Sequence, residues 1–479
     1  MVQPDLDDPR FIWQGISGPQ ADSAACRDAV VFNLRQSIGD DRKTSFPSAR
    51  RVANYVGVDP LKDADDFALG FRIGERLAAD VQAELNATSA QAADWFKGIS
   101  DIVSISCGDR MRQLLRPYIH FRRIAPHGAA VEVHDGQNTR IVVETLNAIG
   151  YRAIPCAAVE QAGPAPAKPV QTRTGVAGLR TEQHLSIPIL DMPDFKDARP
   201  TILAVVRLGD DVFGSGVLPV LNRLIDRLNI FIVNLPNEPS VDLRPFLARH
   251  GLKVGDRRWG WVNKFSTEPV GLDHRHPLFA SVNTAFTRIG EVGLGFDDPF
   301  LDQLCRHVVS RQLLDRYVKL LLQIIALERQ IARVGHKLDG VIVSPGRSVE
   351  SMVFCRRMSE KAKPTFDLQA GTIMATEKFV KPVCDDVLAI DSVSGAIYRD
   401  YFKVPGKQVH IVGSPRLDWR VRNFRNIMPA IARARLHLPQ DGTMAVFLGQ
   451  LVQLETAALV VKMLTEGLAR SGRPIRLYL

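Results

Sequence analysis

The sequence predicts an α/β protein: an N-terminal α/β segment, then two successive strand–helix units of parallel-sheet type, the second incomplete. Three observations carry this. From Thr201 on, short apolar and β-branched runs alternate with amphipathic helical stretches, the pattern of a parallel sheet with right-handed crossovers. The runs TILAVV, IFIVN and DGVIV lack polar alternation, as strands buried on both faces do. Turn-forming residues rich in Gly, Ser and Pro follow the strands, and such sheets place ligands there.

Residues 1–156 form the first segment. Asp66–Leu85 and Ala90–Phe96 are expected to be helical, and Asp101–Cys107 (DIVSISC) a buried strand ended by Gly108 and Asp109. Arg110–Arg116 is expected to return to helix, Ala130–His134 to form a strand, and Asp135-Gly136 a turn. Asn138–Ile149 is read as a helix ended by Gly150, and Tyr151–Pro155 as the next strand. Residues 157–199 contain a stretch dominated by Pro, Ala and Gly and are expected to be a linker, with regular structure resuming near Pro200.

Residues 200–412 are the first full sheet domain. Thr201–Leu208 and Ile230–Asn234 are strands separated by the Gly-rich loop GDDVFGSG and a helix over Val217–Leu228; Arg244–His250 is helical. Apolar residues at Leu301, Leu304, Val308, Leu314, Val318, Leu321, Ile325 and Ile331 predict one long amphipathic helix over Phe300–Val334. Then come strand Asp339–Val343, helix Val349–Ala362, strands Pro364–Leu368 and Asp386–Ile390, helix Ser394–Phe402 and strand Gln408–Val412. Residues 413–440 are expected to be a hinge with a basic helix, and 441–479 the start of another α/β domain: strand Thr443–Leu448, helix Glu455–Arg470 and strand Pro474–Leu479. Two strands do not close a sheet, so the sequence is expected to be a fragment of a longer protein.

Four post-strand segments are candidates for chemistry. In GDDVFGSG, Gly lets backbone approach a ligand, the following helix offers free N–H groups to an anion, and Asp210 or Asp211 is placed to act as a general base. No GKS or GKT ending follows, so this is not a P-loop. In Ser344-Pro345-Gly346-Arg347-Ser348, Arg347 is suited to bidentate contact with phosphate, while Ser348 fits a helix N-cap with Glu350 in the first turn. Gln369-Ala370-Gly371-Thr372 is a tight polar loop after the strand TFDL. Gly413-Ser414-Pro415-Arg416-Leu417-Asp418 breaks the last strand ahead of the next α/β unit.

The order of strand–QAGT, strand–IDS–helix, strand–VGSPRLD and a fresh strand with Gly-Gln resembles the GT-B transferases of bacterial surface-polysaccharide synthesis, of the capsule polysaccharide and CDP-glycerol glycerophosphotransferase type. The resemblance covers about residues 200–479 and implies paired Rossmann-like domains, an acceptor-side one over 200–412 and a donor-side one from 441. It implies that Gln369, Gly371, Gly413, Ser414, Arg416 and Asp418 line the cleft, with Gly449 and Gln450 on the first donor-domain loop. Ser344, Gly346 and Arg347 join the expected donor-binding set. Glycerophosphotransferases of this type carry a catalytic His where this chain has the Gln-Ala-Gly-Thr loop, so glycerophosphate polymerisation is not expected. The implied activity is transfer of a sugar or related group from a nucleotide-activated donor to a surface glycan or its lipid-linked precursor. The alternatives are a non-hydrolysing nucleotide-sugar 2-epimerase and a non-catalytic binding protein on the same fold.

Composition bounds the partners. The formal net charge of +9 suits anionic ligands. The stretches Asp256–Lys264 and Trp419–His437 interleave basic with aromatic and apolar residues, which suits sugar stacking by Trp259 or Trp261 and contact with an anionic membrane surface. No nucleic-acid module is recognisable. His274 and His276 lack a third ligand nearby, and the six cysteines show no metal-ligand spacing, so no metal site is expected; the GT-B resemblance implies that helix dipoles and basic side chains can stabilise a leaving diphosphate, as in some such enzymes, so no cofactor is expected to be required. Without a signal peptide or membrane span, a cytoplasmic protein with reduced thiols, peripheral on the inner membrane face at most, is expected.

Overall fold

The computed structural model describes residues 11–14, 29–34, 51–54, 60–135, 138–156, 182–188, 190, 192, 194–195, 198–206, 211–234, 247–248, 259–262, 267–273, 276–344, 346, 348–369, 382–424, 429–435, 438, 443–446, 454–470 and 475–478. The chain divides into two compact units, the larger reaching Arg416 and the smaller running from Leu417 to Leu479.

The larger unit holds two parallel sheets. The first comprises β1 (Phe11–Gln14), β2 (Val30–Asn33), β3 (Arg51–Asn54), β4 (Ala130–His134) and β5 (Arg152–Pro155), in the order β3-β2-β1-β4-β5. Between β3 and β4 run helices α1 (Pro60–Thr88), α2 (Ala90–Lys97) and α3 (Ser100–Arg122); α4 (Thr139–Ala148) joins β4 to β5. After β6 (Glu182–Pro188), the second sheet opens with β7 (Thr201–Val206), α5 (Asp211–Leu224), β8 (Asn229–Asn234) and β9 (Trp259–Val262). Strand β10 (Thr267–Asp273) pairs antiparallel with β6. Helices α6 (Pro277–Val292), α7 (Pro299–Val308) and α8 (Leu314–Val334) follow. The sheet continues with β11 (Gly340–Ser344), α9 (Val349–Ser359), β12 (Thr365–Leu368), β13 (Asp386–Ala389), α10 (Ser392–Asp400) and β14 (Val409–Ile411). Its order is β14-β13-β12-β11-β7-β8-β9, every pair parallel. Numbered within each sheet, both sheets contain the order 3-2-1-4-5, the doubly wound Rossmann-like arrangement.

One hydrophobic core joins the sheets. Phe11, Trp13 and Val133 of the first, Leu203, Val205 and Val341 of the second, and Leu77, Met111, Val282 and Tyr317 of the intervening helices belong to a single buried cluster. Trp13 lies 5.1 Å from both Phe32 and Tyr118 and 5.3 Å from Phe121, ring centre to ring centre. Each fully buried aromatic or aliphatic side chain of this kind contributes on the order of 1.5–3 kcal/mol. The opposite face of the second sheet packs Ala204, Ile230, Ile232 and Ile342 on Val217, Leu218 and Leu221 of α5. Thus β7 is buried on both faces, as its unbroken apolar run requires. Polar ties cross the same junction: Trp95 Nε1 donates to Glu328 at 2.7 Å, Arg122 pairs with Asp298 at 2.6 Å, and Arg288 pairs with Glu84 at 2.8 Å.

Glycine sets the closeness of α1 and α3. A Cβ on Gly74 would lie 2.2 Å from the Ser104 carbonyl oxygen, and one on Gly70 2.5 Å from that of Gly108. The same close approach governs the segment that follows α2. Asp101–Cys107 is rich in β-branched residues, yet it lies within helix α3, as do Gly108 and Asp109. Ser104 and Gly108 supply the small surface that α1 needs, and tertiary packing overrides local strand preference.

Other boundaries moved as well. GDDVFGSG is not a loop throughout: α5 begins at Asp211 and includes Gly214 and Gly216. The long helix over 300–334 carries a π-helical turn at Val309–Leu313 between α7 and α8. The wider turn leaves the adjacent pairs Val308–Val309 and Leu313–Leu314 all buried. Regular structure resumes with β6 at Glu182, before Pro200, and β1, β2 and β3 precede the first helix that the sequence revealed. Gly150 does end its helical segment, at φ +91°, where a side chain would strike the His127 ring.

The smaller unit contains α11 (Pro415–Phe424, its first two residues in the larger unit), α12 (Pro429–Arg435), β15 (Thr443–Val446), α13 (Leu454–Arg470) and β16 (Ile475–Tyr478). The basic stretch over 419–437 is therefore two helices rather than one. Strands β15 and β16 pair in parallel. Among the described residues, no helix is long and apolar enough to cross a membrane. Cys107, Cys156, Cys305, Cys355 and Cys384 are free thiols, and burial pushes those of Cys107 and Cys305 far up from their ordinary values.

Candidate functional site

The order of the seven-stranded sheet reverses between β7, its first strand, and β11, its fourth. Two crossovers leave in opposite directions there and open a crevice beyond the carboxyl ends, where ligands of such sheets bind. Two helices begin at this point: α5 after β7, starting at Asp211, and α9 after β11. A helix N-terminus presents unpaired N–H groups and partial positive charge, so both favour an anion.

The β11–α9 turn is the best defined part. Ser348 caps α9 by accepting the N–H of Ser351 at 3.1 Å, and Glu350 stands in the first turn, accepting from Gln323 at 2.6 Å. Ser344, the last residue of β11, is fully buried, and its hydroxyl has no hydrogen-bond partner among the described residues. Gly346 passes directly over the Asp367 carboxylate of β12; a Cβ there would lie 2.3 Å from Asp367 Oδ2. Glycine leaves room for this approach, and a Cβ would fit only if the Asp367 carboxylate shifted.

Gln369 follows β12 and is buried. Its Nε2 donates to Ser394 Oγ at 2.9 Å and its Oε1 accepts the N–H of Ile390 at 3.1 Å. The side chain therefore ties β12 to the β13–α10 turn. Asp391 N-caps α10 by accepting the Ser394 N–H at 2.6 Å, and that bond, with the Ser394 hydroxyl, holds its carboxyl below the usual range. Gly413 follows β14 with φ +83°, a left-handed conformation that suits glycine. Ser414 and Arg416 are half-buried, with Arg416 Nε unpaired among the described residues, and Asp418 is exposed in the first turn of α11.

The structure therefore places Ser344, Gly346, Gln369, Gly413 and Ser414 along one edge of one sheet. They are not one contact point. Neighbouring strands lie about 4.8 Å apart, so the end of β14 is about 14 Å from that of β11, whereas β7 and β11 adjoin. Asp211 enters as the first residue of α5. Asp210, Arg347, Gly371, Gly449 and Gln450 lie outside the described residues. The sequence reading missed Asp367, Asp391 and Ser394; Asp391 was legible as a polar residue just ahead of a helix, whereas Asp367 sits inside a strand and meets Gly346 only through β11–β12 pairing.

A separate groove of about 960 Å³ lies between α1 and α3, lined among others by Glu75, Gln82, Asp101 and Arg356. Arg356 there is already engaged by Asp101 and by the Gly98 carbonyl, the latter at 3.2 Å. No protein-family model matches the chain, and no curated protein matches it.

Proposed function

We propose that the chain is a transferase of the GT-B type, acting on a nucleotide-activated donor and delivering a sugar or related group to a surface glycan or its lipid-linked precursor. The observation that supports this most is the strand-order reversal between β7 and β11, with the N-termini of α5 and α9 both at that point. Two helix starts facing one crevice suit a doubly charged diphosphate. A further parallel strand–helix–strand unit follows in the smaller unit, as a second domain of the same type requires.

In this reading Asp211, or Asp210 beside it, removes the acceptor hydroxyl proton as that oxygen attacks the donor's anomeric carbon. The carbon–oxygen bond to the nucleoside diphosphate breaks as the new glycosidic bond forms. Helix dipoles and Arg347 offset the charge developing on the leaving phosphate, while Arg416, three strands along the same edge, engages the far end of an extended donor. Gln369 keeps the adjoining edge rigid through Ser394 and Ile390. The basic stretch over 419–437 serves contact with an anionic membrane surface that presents the acceptor.

The test is calorimetric titration of the full-length protein with UDP-, GDP-, CDP- and dTDP-activated donors, followed by nucleoside diphosphate release with and without glycan acceptor. Acceptor-dependent release is expected from one donor class, lost in Asp210→Ala/Asp211→Ala and in Arg416→Ala. Full turnover in both variants, or saturation by no donor, overturns the reading. Donor isomerisation without acceptor points instead to the epimerase, and binding without turnover to a binding protein.

A further inference from the structure

The five-stranded sheet carries a cluster for which the transferase reading has no use. Along β4, Val131 and Val133 face the shared core. Alternation therefore sends Glu132 and His134 to the other face. Strand β5 runs parallel beside it, with Ile154 opposite Glu132. One residue beyond β5, the Cys156 N–H donates to the Val133 carbonyl at 3.0 Å, which extends the pairing and sets Cys156 beside His134. A carboxylate oxygen of Glu132, a ring nitrogen of His134 and Cys156 Sγ consequently lie within 4.8 Å of one another. His134 Nε2 is 2.9 Å from Glu132 Oε1. His134 and Cys156 are only 3% and 8% exposed, and Cys156 is a free thiol. Gln14 Nε2 donates to the His134 carbonyl at 3.3 Å, holding the end of β4 against β1.

A hydrogen-bonded His–Glu pair accounts for two of these groups and gives no reason for the thiol. Imidazole, thiolate and carboxylate together are the donors of a zinc site, with bonds of about 2.0–2.3 Å and hence ligand atoms roughly 3.4–3.6 Å apart in a tetrahedron. The separations here, 2.9 Å between His134 and Glu132 and no more than 4.8 Å for the other pairs, bracket that spacing. Soft thiolate combined with imidazole also disfavours Mg²⁺ and Ca²⁺. The groups lie at the carboxyl end of β4 and β5, next to the β1–β4 reversal, the edge where such sheets bind ligands.

We propose that Glu132, His134 and Cys156 bind one Zn²⁺ ion, with the fourth coordination position left for water or a ligand atom. Binding releases the Cys156 thiol proton to solvent and replaces the His134–Glu132 hydrogen bond with two metal bonds. The proposal is independent of the transferase reading, because it rests on the other sheet and its readout is the metal.

The full chain, stripped with chelator, is titrated with Co²⁺ and then displaced by Zn²⁺. One equivalent of Co²⁺ is expected to give a thiolate-to-metal charge-transfer band and four-coordinate ligand-field absorption, both lost on adding Zn²⁺. Cys156→Ser abolishes the charge-transfer band. His134→Ala weakens binding by more than the roughly 10–100-fold typical of removing an outer-shell partner. Glu132→Gln keeps the size of the side chain and loses affinity while the circular dichroism spectrum stays unchanged, which separates lost ligation from lost folding. Absence of saturable one-equivalent binding by the unaltered chain, or a charge-transfer band that survives in Cys156→Ser, overturns the proposal.

Discussion

In the five-stranded sheet the order reverses between β1 and β4, and in the seven-stranded sheet between β7 and β11. The windings correspond, but the edges do not. At the first reversal the strand ends carry buried polar side chains: Gln14, His134 and Asp135 are all less than a tenth exposed. At the second, the end of β11 carries a buried hydroxyl, unpaired among the described residues, and a glycine, and two helices begin there. The first edge suits a compact ion gripped by side chains, and the second an extended anion held by backbone. Topology fixes where a site can stand, and a few terminal residues fix its chemistry.

Three measurements test how far the two sheets behave as one body with distinct edges. The largest effect is expected from Gly74→Ala. Its Cβ meets a backbone oxygen, which no rotamer change relieves, so α1 and α3 must separate at a cost of about 3 kcal/mol. Because α1 and α3 feed the core shared by both sheets, urea unfolding followed by the fluorescence of single-tryptophan variants that keep Trp13 of the first sheet or Trp261 of the second should shift together in one transition. Separate midpoints for the two probes would break the single-core description.

Next is Asp302, at the start of α7 in the layer between the sheets. Its Oδ1 accepts the N–H groups of Leu294, Gly295 and Phe296 at 3.0, 2.9 and 3.3 Å, and its Oδ2 accepts from Arg306 at 2.8 Å. Burial opposes its charge, but these donors outweigh burial and hold its carboxyl below the ordinary value. Asp302→Ala leaves buried N–H groups unpaired and should cost about 2 kcal/mol near neutral pH. A depressed carboxyl contributes fully above the unfolded value of about 3.9 and loses its contribution as pH falls through the folded value. The stability gap between native protein and Asp302→Ala should therefore narrow below about pH 4, and a gap independent of pH would show that the charge is immaterial.

The smallest effect on stability is expected at Ser344. Its buried hydroxyl makes no hydrogen bond among the described residues, so Ser344→Ala should change stability by about 0–1 kcal/mol, in the stabilising direction. Donor titration of the same variant should show weaker binding. Stability loss without any change in binding would remove Ser344 from the crevice.

Sequence legibility followed the same division. Strands β7, β8 and β11 were readable because burial on both faces demands an unbroken apolar run. Ser348 was readable as a cap because the need of a helix start for an acceptor is local. Strands β1, β2 and β3 were not, each being four residues long and too short to establish a period. Asp101–Cys107 was misread because β-branched content is a weak preference, while the close contact of Ser104 is with Gly74, thirty positions earlier. The Cys156 cluster gave no spacing signal, because its members come from two strands separated by a helix.

The sequence by itself determined the α/β class, most element positions after residue 200, and the turns at which ligands of such folds bind, because burial, capping and chain reversal act over a few residues. Only the tertiary structure decided the matching order of the two sheets, their common core, the Gly346–Asp367 contact and the assembly of Glu132, His134 and Cys156. Strand pairing and helix contact depend on which distant surfaces meet, and no local window of the chain carries that information.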